Sequence, residues 1–154
     1  MAQAPSVHAC AVLAGARAVL IRGPAGSGKS RLALGLIQAG QAGLLPFARL
    51  IGDDRVTLEN CNGRLLVRSA AALTGLLEMR GIGIRKVPHE AVAVVGLVVD
   101  LGVPGAERLP EESTTVLCEV RLPYLAFPAG GDPLPWVIGA LASVRGNSQI
   151  ISAG

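Results

Sequence analysis

Eight consecutive residues are the best equipped for chemistry: Gly23-Pro24-Ala25-Gly26-Ser27-Gly28-Lys29-Ser30. They fit the phosphate-loop pattern GxxxxGK[ST], in which each position has a physical task. The glycines let backbone N–H groups turn inward around phosphate oxygens without side-chain clash. A helix starting at Lys29 would aim its positive end at the same oxygens. Lys29 supplies a full charge to the outer phosphates, and the Ser30 hydroxyl is placed to ligate Mg²⁺. The bland alternative is a glycine-rich turn that matches by accident. Average residue usage puts such a match on the order of 1% or less for a chain of this size. The spacing therefore predicts binding of a nucleoside triphosphate with Mg²⁺, and phosphoryl transfer from it.

Three other groups could join that chemistry. Asp53-Asp54 follows the apolar pair Leu50-Ile51, and a carboxylate at a strand end beside a phosphate loop can hold Mg²⁺ or accept a proton from an attacking hydroxyl. In extended backbone two adjacent side chains point to opposite faces, which suggests different roles; an ordinary Asp-rich turn after Gly52 is the competing reading. Leu77-Glu78-Met79-Arg80-Gly81-Ile82-Gly83-Ile84 sets charges and glycines in an apolar frame. There Glu78 could ligate a metal and Arg80 could clamp a phosphate, or the segment could be an edge strand with a salt bridge. His8, ahead of the first predicted strand, is a lone histidine. His89 reads as a surface residue and Arg108 as a solvated loop charge. Cys10, Cys61 and Cys118 are far apart and odd in number, which reads as small buried hydrophobes in a reduced compartment rather than a disulfide frame or metal site.

The elements that must position these residues are mostly short strands. Cys10–Leu13 and Ala18–Ile21 predict a hairpin whose second arm leads into the loop. Ser30 to Ala39 predicts a helix with Leu32, Ala33, Leu36 and Ile37 on one face and Gly40 as its stop. Leu50-Ile51 predicts a strand, with Gln41–Ala48 before it as a surface insertion. Arg55–Leu58 and Arg64–Val67 flank an Asn62-Gly63 turn. Ala70–Leu77 reads as a short helix or an irregular stretch. Ala91–Leu101 predicts a β-branched strand, Thr114–Arg121 another, and Leu134–Ser143 a closing helix. Strands outnumber helices, so the expectation is a mixed sheet rather than a doubly wound one.

Composition narrows the class. The chain has 154 residues, 51% hydrophobic and 16% charged, which suits one packed domain. Aromatics make up 3%, so the core must be aliphatic. The net charge of +3 is spread along the chain, without the basic stripe and interleaved aromatics of a nucleic-acid binder. No stretch approaches the roughly 18 apolar residues of a membrane span, and Met1 to Ser6 lacks a signal-peptide pattern. The expectation is a cytoplasmic protein without nucleic-acid or membrane partners.

Taken in order, these segments resemble the catalytic domain of HPr kinase/phosphorylase, the bacterial serine kinase acting on the phosphocarrier protein HPr. The resemblance runs from about Ser6 to Ala142. Ser6-Val7-His8-Ala9 matches the family's small-residue/His segment, Gly23–Ser30 its phosphate loop, and Asp53-Asp54-Arg55-Val56 its paired aspartate. Leu77–Gly83 matches its leucine-glutamate-x-arginine-glycine-x-glycine stretch. The resemblance implies an ATP- and Mg²⁺-dependent protein serine kinase with HPr as substrate. It implies Asp54 as general base, Asp53 orienting the site or reaching Mg²⁺, and Glu78 with Ser30 as metal ligands. His8, Lys29 and Arg108 fall where the family has active-site residues. The implied fold is α/β, a single P-loop domain with a mixed sheet, phosphoenolpyruvate-carboxykinase-like, and the implied assembly is a homohexamer. The motifs begin at residue 6, as in a short form lacking the family's N-terminal domain, with a catalytic domain over 1–143 and a loose tail over 144–154. Phe127–Pro133 carries no basic residue where the family has a basic segment tied to the phosphorylase direction, so the reverse reaction is left unsupported. Two alternatives are a small-molecule kinase, which would need an enclosed polar pocket, and a nucleotide-sensing module, which would have no use for Asp54.

Overall fold

The computed structural model describes residues 6–70, 74–106 and 113–142. In chain order the strands are β1 (Ser6–Val7), β2 (Ala9–Ala14), β3 (Arg17–Arg22), β4 (Ala48–Gly52), β5 (Val56–Cys61), β6 (Arg64–Ser69), β7 (Leu76–Met79), β8 (Gly83–Lys86), β9 (Val92–Asp100), β10 (Thr114–Leu117) and β11 (Val120–Ala126). Helix α1 (Lys29–Gln41) follows β3, and a second helix, α2, covers 134–142. Among the described residues the strands form one large sheet ordered β1-β5-β6-β9-β3-β2-β4, with β10 and β11 branching from β9, plus the separate hairpin β7-β8. Among the described strands only the β3–β9 and β9–β11 pairs run parallel. The sheet is mixed, as expected.

Chain connectivity forces this sheet to curl. Along the hydrogen-bonded path β4 and β5 lie five strand spacings apart, which would be roughly 24 Å in a flat sheet. Yet only Asp53-Asp54-Arg55 joins them, and four Cα steps reach at most about 14 Å. The ends of the sheet must therefore meet. They are also stitched together by a nearly continuous strand: β1 pairs with β5, β2 pairs with β3 and β4, and only His8 stands between them. At this closure Gly52 has no room for a side chain, since a Cβ there would lie 2.8 Å from Val56 Cγ1 and 3.2 Å from Ser69 Cα. His8 and both aspartates thus meet at one seam.

Alternation along the strands divides the core in two. Cys10, Val12, Val19 and Ile21 face α1, where Leu32, Ala33, Leu36 and Ile37 are buried against them. Ala9, Ala11, Leu20, Ile51, Val56, Leu65, Val67 and Val98 fill the inside of the curl. Each fully buried Leu or Ile contributes on the order of 1.5–3 kcal/mol. Among the described residues no polar or charged residue is fully buried.

Several expectations are corrected. Thr114–Arg121 is not one strand but a hairpin, turning at Cys118-Glu119 so that Thr114 pairs with Pro123 and Leu117 with Val120. A strand precedes His8, because Ser6-Val7 finds β5 as a partner. The helix after the loop runs from Lys29 to Gln41, longer at both ends than its apolar face indicates, and Gly40 lies inside it. Within Gln41–Ala48 Leu45 is buried, so that connection is anchored to the core. Leu76 and Leu77 belong to β7; residues 71–73, Ser143 and the tail 144–154 lie outside the described residues.

Candidate active site

The phosphate loop begins where β3 ends. At Gly23 an added Cβ would sit 2.5 Å from Ser27 Oγ and 2.9 Å from the Leu101 carbonyl oxygen, so the loop's first turn closes only on glycine. Gly26 (φ 79°) and Gly28 (φ 99°) take left-handed backbone that other residues resist. Gly28 caps α1 without a side-chain hydrogen bond, and no acidic residue lies in the first helical turn. The orphan N–H donors and the positive end of the helix dipole are therefore left to the loop. Lys29 Nζ donates to the carbonyls of Gly23 (2.8 Å) and Pro24 (3.2 Å).

Asp53 is the hub beside the loop. Its Oδ1 accepts from the Ser30 hydroxyl at 2.7 Å and from the Cys10 thiol at 2.9 Å, while Oδ2 accepts from the Glu78 backbone N–H at 3.1 Å. Three segments distant in sequence converge on one carboxylate. Burial, then the charge of Asp53 and the bond to it, push the Cys10 thiol up to about 12, so it is a neutral S–H donor.

Asp54 sits differently. Its backbone is left-handed (φ 71°), its carbonyl accepts from Ala9 N–H across the seam, and its side chain is 78% exposed. His8 Nδ1 lies 3.8 Å from Asp54 Oδ1, too far for a hydrogen bond but close enough for attraction. On the other side of the ring Arg55 Nη2 approaches His8 Nε2 at 3.0 Å, and Arg55 Nη1 donates to Ser6 Oγ at 3.1 Å. A guanidinium only donates, so Nε2 is the acceptor and Nδ1–H faces the carboxylate.

The Leu77–Gly83 segment is a tight hairpin: β7, a turn at Arg80-Gly81-Ile82, then β8, with Ile82 N–H donating to the Met79 carbonyl. Buried Leu77 fastens it under α1. Glu78 reaches the site through its backbone, and the side chains of Glu78 and Arg80 are exposed. Ile82 and Ile84 are exposed on the same hairpin. His89 is exposed, its ring covering Gly75. Arg108 lies outside the described residues.

Two sets of neighbours escape the motif reading. Cys10 reads as a plain core residue, yet its thiol touches Asp53. The signal is register: Cys10 pairs with Ile21, two residues before the loop, and alternation turns it toward α1. Arg22, just before Gly23, makes a two-pronged pair with Asp100 (2.7 and 2.9 Å), and Tyr124 O–H donates to the same carboxylate at 2.8 Å. This clamp ties the ends of β3, β9 and β11 together at the base of the loop. Burial first, and then Asp100, push the Tyr124 phenol up to about 12.

The site's donor set fits a magnesium–nucleotide ligand. Ser27 Oγ is buried with no hydrogen-bond partner among the described residues, and with the uncapped helix N-terminus it is available to donate to an anionic ligand. Ser30 and Asp53 offer hard oxygens at one spot. Among the described residues no three His, Cys, Asp or Glu converge as a metal cage. An ion held by Ser30 and Asp53 would leave most of its coordination to phosphate and water, as Mg²⁺ prefers.

Comparison with known proteins agrees in sequence and in fold. The family profile for the HPr Serine kinase C-terminal domain matches residues 1–91. An HPr kinase/phosphorylase of Lactobacillus acidophilus is 33% identical over 141 residues, which is 83% of this chain and 42% of that protein. One from Lactiplantibacillus plantarum is 44% identical over 85 residues, 54% of this chain and 25% of that protein. The chain thus spans less than half the length of these curated relatives. The solved HPr(Ser) kinase/phosphatase from Coxiella burnetii is similar with a TM-score of 0.73 at 28% identity, over 97% of this chain and 99% of that one.

Proposed function

The chain belongs to the HPr serine kinase C-terminal domain family, and on that premise we propose that it transfers the γ-phosphoryl group of ATP to a serine hydroxyl of HPr. The observation that carries the reading is the convergence on Asp53: the phosphate loop's Ser30 and the hairpin's Glu78 N–H meet on one carboxylate beside a second, exposed one. When bound, ATP with Mg²⁺ supplies an activated phosphoryl group whose charge the cation shares.

The chain's own groups then have distinct tasks. Loop N–H groups and Ser27 Oγ hold phosphate oxygens, and Lys29 exchanges two loop carbonyls for the outer phosphates. Ser30 and Asp53 hold the cation. Asp54 accepts the proton of the incoming serine hydroxyl, a weak nucleophile that needs a base. His8 Nδ1–H, held by Arg55, faces the Asp54 carboxylate. Arg80 stands on the hairpin turn as a cation for phosphate and Glu78 as a further metal ligand; Arg108 is the remaining family position.

A protein acceptor suits this surface better than a metabolite. Asp54 lies open rather than enclosed, and the hairpin bonded to Asp53 shows Ile82 and Ile84 to solvent. The same family membership leads us to a homohexameric assembly working in the kinase direction. No helix of the described residues is long and apolar enough to cross a membrane.

The test is transfer of labelled γ-phosphate from ATP with Mg²⁺ to purified HPr, comparing wild type with Asp54→Asn. Asparagine tolerates left-handed backbone, so the turn survives. Removal of a general base predicts a loss of about 10²–10⁴-fold in transfer with ATP still bound. Unlabelled HPr with ATP bound by the wild type would discard the acceptor. Undiminished transfer by the variant would discard Asp54 as base.

A further inference from the structure

We propose that Cys10 is a positioning residue for the cation site, its thiol holding the Asp53 carboxylate at the rotation that orients the Ser30 hydroxyl. The proposal rests on the nucleotide-binding reading above and concerns a residue that the phosphate-loop and aspartate motifs leave out.

Asp53 has three donors and about four lone-pair positions. Ser30 O–H and Cys10 S–H share Oδ1, and Glu78 N–H takes Oδ2. The backbone donor fixes one oxygen but leaves the carboxylate free to swing about it. Cys10, fully buried on β2, approaches from the strand paired with β4, which Asp53 follows, and stops that swing. With the carboxylate fixed, Ser30 gives its proton to Oδ1 and its oxygen lone pairs point away from Asp53, toward a cation. Cys10 Sγ is 3.9 Å from Ser30 Oγ, so it touches the pair without displacing the Ser30–Asp53 bond. This is a chain of orientation from thiol to carboxylate to hydroxyl, in which outer partners set the aim of inner ligands.

The bland alternative is that Cys10 only fills space in the core. The two differ in what they do to ATP binding with and without the cation. Packing loss disturbs the loop in both conditions, whereas loss of orientation weakens only the part of the affinity that Mg²⁺ adds.

The experiment is calorimetric titration of ATP into the wild type, Cys10→Ala and Cys10→Ser, each with Mg²⁺ and with EDTA. In Cys10→Ala the gain in affinity on adding Mg²⁺ falls about three- to tenfold, toward the low end of outer-partner effects because a thiol is a weak donor. Affinity in EDTA stays within about twofold of wild type. Cys10→Ser, whose hydroxyl also donates, keeps most of the gain. An unchanged gain in Cys10→Ala, a parallel fall in both conditions, or a serine variant behaving like the alanine one overturns the proposal. Absence of ATP binding by the wild type in either condition overturns the nucleotide reading itself, a result visible before any variant is made.

Discussion

Replacing Gly40 with alanine sets two effects of known size against each other. In a helix interior alanine is favoured over glycine by about 1 kcal/mol. But α1 lies so close to the start of β4 that a Cβ on Gly40 would sit 2.6 Å from Ala48 N, 2.9 Å from Ala48 Cβ and 3.1 Å from the Phe47 carbonyl carbon. Ordinary carbon contacts lie near 3.5–4.0 Å, so helix and strand must part by roughly 1 Å. The obstruction is backbone, held by the Gly15 N–H bond to Phe47 and by β2–β4 pairing, and it cannot rotate away as a side chain could. Overpacking of this kind costs about 1–3 kcal/mol; with the propensity gain of about 1 kcal/mol subtracted, repulsion wins and the variant loses up to about 2 kcal/mol. Gly139 is the control: it lies in α2, exposed, with nothing within 4 Å of an added Cβ. There propensity acts alone, and Gly139→Ala gains about 0.5–1 kcal/mol. Urea unfolding followed by far-ultraviolet circular dichroism measures both. A Gly40→Ala protein as stable as wild type, or two variants shifting the same way, would refute the argument from close approach.

The remaining predictions concern the loop's base and the hairpin. Tyr124 is the only tyrosine, so phenolate absorbance reports it directly; its midpoint is expected near 12 rather than the ordinary 10, and Asp100→Asn should lower it. A raised folded-state value means that the associated stability is intact below pH 10 and lost as pH climbs through 12, so Tyr124→Phe flattens the fall in that window. Leu77→Ala, which empties a fully buried site, costs about 2–5 kcal/mol in urea unfolding and loosens the hairpin that brings Glu78 N–H to Asp53. Exposed Ile84→Ser keeps stability within about 0.5 kcal/mol while raising KM for HPr about fivefold, as for a docking contact; an unchanged KM would remove the hairpin from the docking surface.

Legibility in the sequence followed how local each feature is. The glycine-rich turn over Gly23–Gly28, α1, the β2–β3 hairpin and the Asn62-Gly63 turn are written in adjacent residues, and all form, though α1 runs past the Gly40 that reads as its stop. The β10–β11 hairpin was invisible for a specific reason. Its turn residues Cys118 and Glu119 both adopt positive φ (49° and 67°), a conformation usually signalled by Asn or Gly. Tertiary context holds them there, including the Asn60 side chain, which donates to the Cys118 carbonyl at 2.8 Å. Ser6-Val7 is too short to show a period. The seam that unites His8 with Asp53-Asp54 depends on pairing between strands far apart in the chain, which no window of residues contains. The same holds for the cysteines: residue type suggests burial for all three, but Cys61 and Cys118 are exposed at the β5–β6 and β10–β11 turns and only Cys10 is buried, and its place beside Asp53 needs the register of three strands.

The two bonds from Lys29 Nζ to the Gly23 and Pro24 carbonyls set the loop against the triphosphate proposed as the lysine's ligand. Phosphate contact requires the released rotamer, so measured affinity is the intrinsic affinity multiplied by the fraction of molecules with the ammonium free. If the latch is worth about 1 kcal/mol net, as an ordinary pair of such bonds can be, that fraction is roughly one in six. ATP then binds about sixfold more weakly than to a pre-released loop. The same competition acts as a filter: a phosphate-bearing molecule that cannot engage the ammonium leaves the latched population favoured, whereas a triphosphate shifts it.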